Sequence, residues 1–462
     1  MGGRHDAHMS STPAVATVPS KGADPTRLER LGRLPFTRRH GRLVLGSGAG
    51  WALDAMDVGL ISFLMVAVKK EWGLSTTDLS WLASIGFIGM AIGAGAGGAL
   101  ADRIGRRTVF AGTLIVYGLA TGLSALAPTF LVLCALRFVV GLGLGAELPV
   151  ASTLVSEYAP RRLRGRMVVA LESFWAVGWL LAAVIGFTVV PRENGWRWAM
   201  LLGLVPALYA VWVRRGLPES VRFLERAGRE EEAERSVREF ESASGIEAPK
   251  SAAVAPTDHE AAPKPKMTDA FAPAYRTRTA ALWTTWFGVN FAYYGAFLWI
   301  PTFLVAGGYP VAKSFGFTLI ITIAQLPGYL AAAVLVEKIG RRPTLAAFLA
   351  GSALSALAFG NAGSEATIIA AGCALSFFNL GAWGALYAIT PEIYPTAIRA
   401  AGAGSATAFG RIASIVAPLI VPVVFTEHGE VWTFVLIAFA FAVATVASLL
   451  LPERRGASLE EA

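Results

Sequence analysis

Asp54 and Asp57 lie three residues apart in an apolar run, so a helix there carries both carboxylates on one face. Two carboxylates that close should not both ionise freely, which makes them candidates for holding or releasing a proton. Arg137, Glu147, Glu172 and Arg411 also stand inside long apolar stretches. Ionisable side chains in such surroundings are costly and by default mark functional positions with partners. All five histidines lie outside these stretches and no lysine falls well inside them, so carboxylates must carry any internal proton chemistry.

Depth along the apolar runs suggests how these groups meet. At ~1.5 Å per helical residue, Asp57 lies ~16 Å and Arg137 ~12 Å from the same end, so the two are expected to pair. A permanent ion pair is the plainer alternative to one opened by protonating Asp57. Glu172 shares a helical stripe with Trp175 and Trp179 near the opposite end. Glu147 is read as equally shallow and structural. Arg411 has no acid in its own run, so it needs a ligand carboxylate, a distant aspartate or a backbone carbonyl. Asn290, Tyr293, Tyr294 and Phe297 recur at three- and four-residue steps, as do Asn379, Trp383 and Tyr387. Such stripes are usually packing or lipid-facing belts, but buried amides among them seek partners and favour a site.

The elements that position these residues follow from composition. The 462 residues are 55% hydrophobic and only 16% charged. The apolar residues gather in blocks of about 20, enough for a helix to cross hydrocarbon. Spans are expected near 42–68, 78–100, 107–127, 129–155, 166–190, 196–213, 279–305, 315–336, 343–361, 366–390, 399–424 and 430–452. The first forty residues lack the apolar core of a cleavable signal; Leu28, Leu31 and Leu34 predict a short amphipathic helix on the membrane surface. Among the Lys and Arg residues, Lys69, Lys70, Arg192, Arg197 and Lys313 fall on one side and Arg137 and Arg411 within spans. The rest collect on the other side, which places both termini in the cytoplasm. The net charge of +8 is therefore topological and does not indicate nucleic acid. Cys134 and Cys373 read as small packing residues, no metal spacing exists, and no cofactor is expected.

An internal repeat divides the chain. Asp102-Arg-Ile-Gly-Arg-Arg107 and Glu337-Lys-Ile-Gly-Arg-Arg342 are 235 residues apart, as are Glu157-x-x-Pro160-x-x-x-Arg164 and Glu392-x-x-Pro395-x-x-x-Arg399. Two motifs recurring at one offset mark a duplicated six-helix half. The expected division is a cytoplasmic segment 1–41, a first half 42–213, a linker 214–278, a second half 279–452 and a tail 453–462. Within the linker, Pro218 to Ser242 predicts amphipathic helices, and Ala248 to Lys266 a flexible tether.

These residues carry a family resemblance. Gly98-Ala-Leu-Ala-Asp102-Arg103-Ile-Gly105-Arg106-Arg107 resembles the signature loop of the major facilitator superfamily. Arg137-Phe-Val-Val-Gly141-Leu-Gly143 resembles its span-4 motif, and Pro218-Glu-Ser-Val-Arg222 the motif after span 6 of sugar-porter-like branches. The resemblance implies an all-α membrane fold of twelve helices in two pseudo-repeats, with a central site and alternating access. It also implies gating by Asp102, Arg103, Arg106, Glu157, Arg164, Glu392 and Arg399, which would latch the halves in the outward-open state.

Asp54-Ala-Met-Asp57, Glu172-Ser-Phe-Trp175 and Thr390-Pro-Glu-Ile-Tyr-Pro are similar to the niacin-transporter branch, the aromatic acid:proton symporters and the synaptic vesicle glycoprotein 2 group. That likeness implies a central cavity lined by Asp54, Asp57, Trp175, Tyr293, Tyr294 and Trp383. The substrate set expected from stripes and resemblance together is Trp175, Trp179, Asn290, Tyr293, Tyr294, Asn379, Trp383, Tyr387 and Arg411. Asp54, Asp57, Arg137 and Glu172 form the proton-coupling set. Aromatic walls with one buried cation suit a flat anionic ring such as nicotinate or benzoate. A sugar porter would carry glutamines where Glu172 and Trp283-Thr-Thr-Trp286 stand, which disfavours polyols. Drug:proton antiport and a non-transporting receptor are the other classes, and the missing Walker motif argues against an ATP-driven pump. The expected partners are a small molecule, protons and the lipid bilayer, in a functional monomer of the plasma (inner) membrane.

Overall fold

The computed structural model describes residues 25–246, 270–395 and 398–453. The expected tether at 248–266, most of the N-terminal tail and the tail beyond 453 lie outside them. Every regular element among the described residues is helical. In the first half these are α1 (Arg27–Arg33), α2 (Arg38–Trp72), α3 (Thr76–Ile104), α4 (Arg106–Ser124), α5 (Phe130–Tyr158), α6 (Arg164–Thr188), α7 (Gly195–Leu202) and α8 (Val205–Gly216). Then come α9 (Val221–Arg226) and α10 (Glu230–Ser244) of the linker. The second half has α11 (Arg276–Phe297), α12 (Ile300–Ala306), α13 (Val311–Ile323), α14 (Gln325–Lys338), α15 (Arg341–Gly360), α16 (Glu365–Ile389) and α17 (Arg399–Leu449).

Nine described helical stretches are long and apolar enough to cross a bilayer, with α7–α8 and α13–α14 each counted as one, or ten if the bent pair α11–α12 also counts as one span. The difference from twelve has two sources. α17 runs 51 residues and contains a break at Gly429 (φ 84°), where two spans were expected. α4 has 19 residues and opens on Arg106-Arg107, which lowers its mean hydropathy. Other spans are broken as well. α11 and α12 meet at 43°, with Pro301 opening the second piece.

Packing keeps sequence neighbours together. α2 lies on α6, α3 on α5, and α4 on α5 and α8; α11 lies on α17, α15 on α16 and α17, and α14 on α16. The groups meet through α3 against α17, α6 against α13 and α14, and α2 against α12. Phe63 and Phe315 pack edge to face at 5.0 Å across this seam, and the Ser84 hydroxyl donates to the Ile415 carbonyl at 3.0 Å.

The repeated loops fold alike. Gly105 (φ 96°) and Gly340 (φ 106°) take a backbone conformation that a side chain would strain. Each turn lets the next helix start against a carboxylate. Glu219 accepts the amides of Arg106 and Arg107 at 2.8 and 3.0 Å, and Glu453 those of Arg341 and Arg342 at 3.3 and 2.8 Å. An anion at a helix N-terminus satisfies orphan N–H groups and the helix dipole together.

α1 forms where the leucine spacing places it, but its partner is protein. Leu31 is fully buried, and Arg30 makes paired bonds to Glu234 (2.9 and 2.9 Å) and Glu241 (2.8 and 2.7 Å) of α10. Arg27 reaches Glu225 and Glu234 at 3.2 Å. Glu234 responds to these hydrogen-bonded guanidiniums, which hold its carboxyl at about 2 against the cost of burial.

Candidate functional site

Two groups of polar side chains occupy the middle of the bundle. The first lies among α2, α4 and α5. Arg137 donates to Asp57 at 2.8 Å, and the Thr121 hydroxyl donates to the other oxygen of the same carboxylate at 2.6 Å. The pairing counted from helical depth is therefore present, with Asp57 fully engaged. Asp54, one turn earlier on α2, faces Glu147 of α5 and Tyr117 of α4. Neither Asp54 nor Glu147 has a hydrogen-bond partner for its carboxylate, and both are buried. Glu147 is thus a central residue rather than a shallow one.

The second group lies where α2 and α6 meet α11, α14, α16 and α17. Trp51 and Trp175 pack with tilted rings, 5.0 Å between centroids, and the Trp175 indole donates to the Tyr293 hydroxyl at 3.1 Å. Tyr293 also packs against Trp179 (5.3 Å), Tyr294 (5.0 Å) and Trp383 (5.9 Å). Trp383 stacks on Tyr387 at 5.7 Å. Glu172 is buried beside Trp51, Tyr387 and Arg411. Arg411 is half-buried, with Tyr294 against its guanidinium. The nearby acid that Arg411 lacks in the run 399–424 is Glu172 of α6.

The amides divide. Asn290 donates to the Trp286 carbonyl at 2.7 Å and accepts from Ser414 at 3.0 Å, so it ties α11 to α17. Asn379 is fully buried with both amide atoms unpaired, and the indole N–H groups of Trp179 and Trp383 are also unpaired. Buried polar atoms are expensive to leave without partners. Sequence reasoning missed Trp51, Gln325 and Tyr329. Tyr329 lies near Glu172 and Tyr294; Gln325 lies near Tyr293 and is buried without a hydrogen-bond partner. Each is an isolated polar or aromatic residue on an apolar helix, with no stripe to flag it.

At the basic end, Arg106 pairs with Glu157, and Ser220 donates to the same carboxylate at 2.6 Å. Arg341 pairs with Glu392 at 3.2 Å in the matching place. Asp102 is exposed, with Arg106 and Arg226 each 3.9 Å away. Arg103 and Arg164 are exposed, and Arg399 donates to the Tyr394 carbonyl at 3.3 Å. These ion pairs join groups within the first half and its linker, or within the second half. An ion pair that crosses between halves is Arg166–Glu337 at 3.3 Å, and it was not expected.

The sequence pattern described as "Sugar (and other) transporter" matches residues 40–462. The chain belongs to that transporter family. Within the family it is 46% identical over 435 residues to a niacin transporter of Acinetobacter baylyi, covering 94% of this chain and 98% of that one. It is 44% identical to a Bacillus subtilis protein with a provisional niacin/nicotinamide transporter name, covering 88% and 94%. A synaptic vesicle 2-related protein of Xenopus laevis is 29% identical, covering 96% and 85%. Among solved structures, the xylose transporter of E. coli in a partially occluded inward-open conformation has a TM-score of 0.74 at 18% identity, covering 91% and 100%. That likeness bears on the fold alone. The protein is an integral membrane transporter of the major facilitator fold, not an enzyme, and its cargo is a small molecule.

Proposed function

We propose that the chain carries nicotinate, or a closely related small aromatic carboxylate, across the plasma (inner) membrane in symport with protons. It would act as a monomer with both termini in the cytoplasm, by rocking residues 42–213 against 279–452. The observation that carries the reading is Arg411, half-buried beside Tyr294 and Tyr387, which belong to an aromatic cluster that continues through Tyr293 to Trp175 and Trp383. A guanidinium at the edge of an aromatic chamber offers a carboxylate a charge-assisted partner while the walls hold a flat ring. The names of the relatives at 46% and 44% identity support the same cargo.

Glu172 supports the proton. It already faces Arg411, so an incoming anion and an ionised Glu172 compete for one cation. Protonating Glu172 would remove the competition and tie the proton to the cargo. Asp54, Asp57 and Arg137 would complete the coupling set, and Trp179, Asn290 and Asn379 the chamber. The ion pairs at the basic end would hold the halves' loops in shape, with Arg166–Glu337 bridging them until the cytoplasmic side opens.

A ligand panel tests this reading. Nicotinate and benzoate should raise the melting temperature of the purified protein, while xylose and hydrophobic cations should leave it unchanged. Stabilisation by a sugar or a cation, with none by the acids, would replace this reading.

A further inference from the structure

Asp54 and Glu147 present a chemical problem that the ion pair beside them does not solve. A carboxylate is acceptor-only when ionised, so two facing carboxylates cannot bond to each other without a proton. Asp54 is 1% exposed and Glu147 fully buried, and none of their four oxygens has a hydrogen-bond partner. Uncompensated, each charge would cost several kcal/mol at such a position (roughly, by analogy with buried ions generally).

The neighbours narrow the solution. On α2, Asp57 is committed to Arg137 and Thr121. On α4, the Tyr117 hydroxyl faces Asp54 and is buried without a partner, so it can supply one donor. On α8, Tyr209 lies near Glu147 but donates to the Gly46 carbonyl at 2.7 Å. Arg411 of α17 acts on Asp54 from the chamber side, and Glu172 of α6 lies near Arg411. The Nε and Nη1 of Arg137 on α5 have no partner. Among the described residues no three His, Cys, Asp or Glu side chains converge to hold a metal ion.

The backbone makes room for this contact. Gly50 is one turn before Asp54 on α2, and a Cβ there would come within 2.7 Å of a Glu147 oxygen. The glycine lets Glu147 lie against the face that carries Asp54. In the second half, the residue 235 positions after Glu147 is Ala382, so the contact belongs to the first half alone.

We propose that Asp54 and Glu147 share one proton as a buried carboxyl–carboxylate pair, which makes Glu147 a proton-binding residue of the transport cycle. The O–H of one acid donates to the carboxylate of the other, and Tyr117 donates to the remaining charge. When the proton leaves, a second negative charge appears where α2 meets α5, one turn from Asp57 and under the influence of Arg411. The role in transport rests on the symport reading above, but the existence of the pair does not.

Infrared difference spectroscopy on the full-length protein in lipid tests this without any substrate. The wild type should show a protonated-carboxyl stretch at neutral pH that shifts in deuterium oxide. On a Glu172→Gln background, which removes the other buried acid that the symport reading protonates, both Asp54→Asn and Glu147→Gln should lose it, and Glu147→Asp, which keeps the acid, should move it and serve as the folding control. Glu147→Gln should also lower gradient-driven accumulation of nicotinate by about tenfold or more. A stretch that is absent from the wild type, or unchanged in Glu147→Gln on that background, overturns the pair whatever transport shows. Loss of the stretch in both variants, with no gradient-driven uptake by the wild type, upholds the pair and removes the symport reading instead.

Discussion

At the basic end the two halves make the same contacts: Arg106 with Glu157 and Arg341 with Glu392, each above a helix capped by Glu219 or Glu453. At mid-depth they share almost none. Between the motifs, where the 235-residue offset holds on both sides, Arg137 corresponds to Gly372 and Glu147 to Ala382. The first half concentrates charge in Asp54, Asp57, Arg137, Glu147 and Glu172; the second offers Arg411 among tyrosines, tryptophans and amides. The repeat supplies two copies of a frame whose centres differ in chemistry. Under the proposed function, the first half would handle the proton and the second would hold most of the ring.

The largest expected effect comes from breaking the charge pair in the first half. Arg137→Ala leaves Asp57 buried and uncompensated, and should cost about 3–5 kcal/mol of stability. Denaturant unfolding of the purified protein would measure it. A loss near zero would mean that these charges are not held apart from water, and the contrast between halves would lose its physical basis.

The next effect sharpens the second half's role. Arg411→Ala should weaken nicotinate about tenfold or more, the equivalent of ~1.5–3 kcal/mol for a charge-assisted bond. Nicotinamide, which lacks the charge, should lose much less. Titration calorimetry on the two ligands separates the cases, and equal losses would make Arg411 a structural cation.

These expectations show what the sequence made legible. The bundle, the internal repeat and the Asp57–Arg137 pair followed from apolar length, fixed offsets and helical rise, which are periodic quantities. Glu147 was misplaced because depth counted along one helix says nothing about which neighbour a side chain faces. Trp51, Gln325 and Tyr329 were missed for the same reason, since each acquires meaning from another helix. Arg166–Glu337 was invisible because both residues sit in arginine-rich loops that orientation alone explains. Asn290 was legible as a buried amide, but not as a tie to Ser414.

A smaller effect tests whether the aromatic wall reads shape or charge. Trp175 touches Trp51 and Tyr293 from the first-half side of the chamber. Trp175→Ala should weaken nicotinate and nicotinamide alike, by about 0.5–1.5 kcal/mol from the lost ring contacts. A loss confined to the acid would place charge recognition on this wall and blur the division between halves.

The smallest effect belongs to the solvent-exposed bridge. Arg166→Ala should shift the balance of open and closed forms by no more than about 1 kcal/mol, as for exposed pairs generally. Glu392→Gln, which breaks a pair within the second half, should shift it less. Spin-label distances across both mouths would report these populations. Unchanged distributions in both variants would leave the repeated motifs as scaffolding alone.

The central claim, that protons handled in one half drive an aromatic acid bound largely by the other, meets its most direct test in proteoliposomes. Labelled nicotinate should accumulate above its external concentration when the inward proton gradient is imposed. A protonophore should collapse that accumulation, and Asp57→Asn should lose accumulation more than exchange. Nicotinate uptake that reaches the same level with and without the gradient would contradict the account.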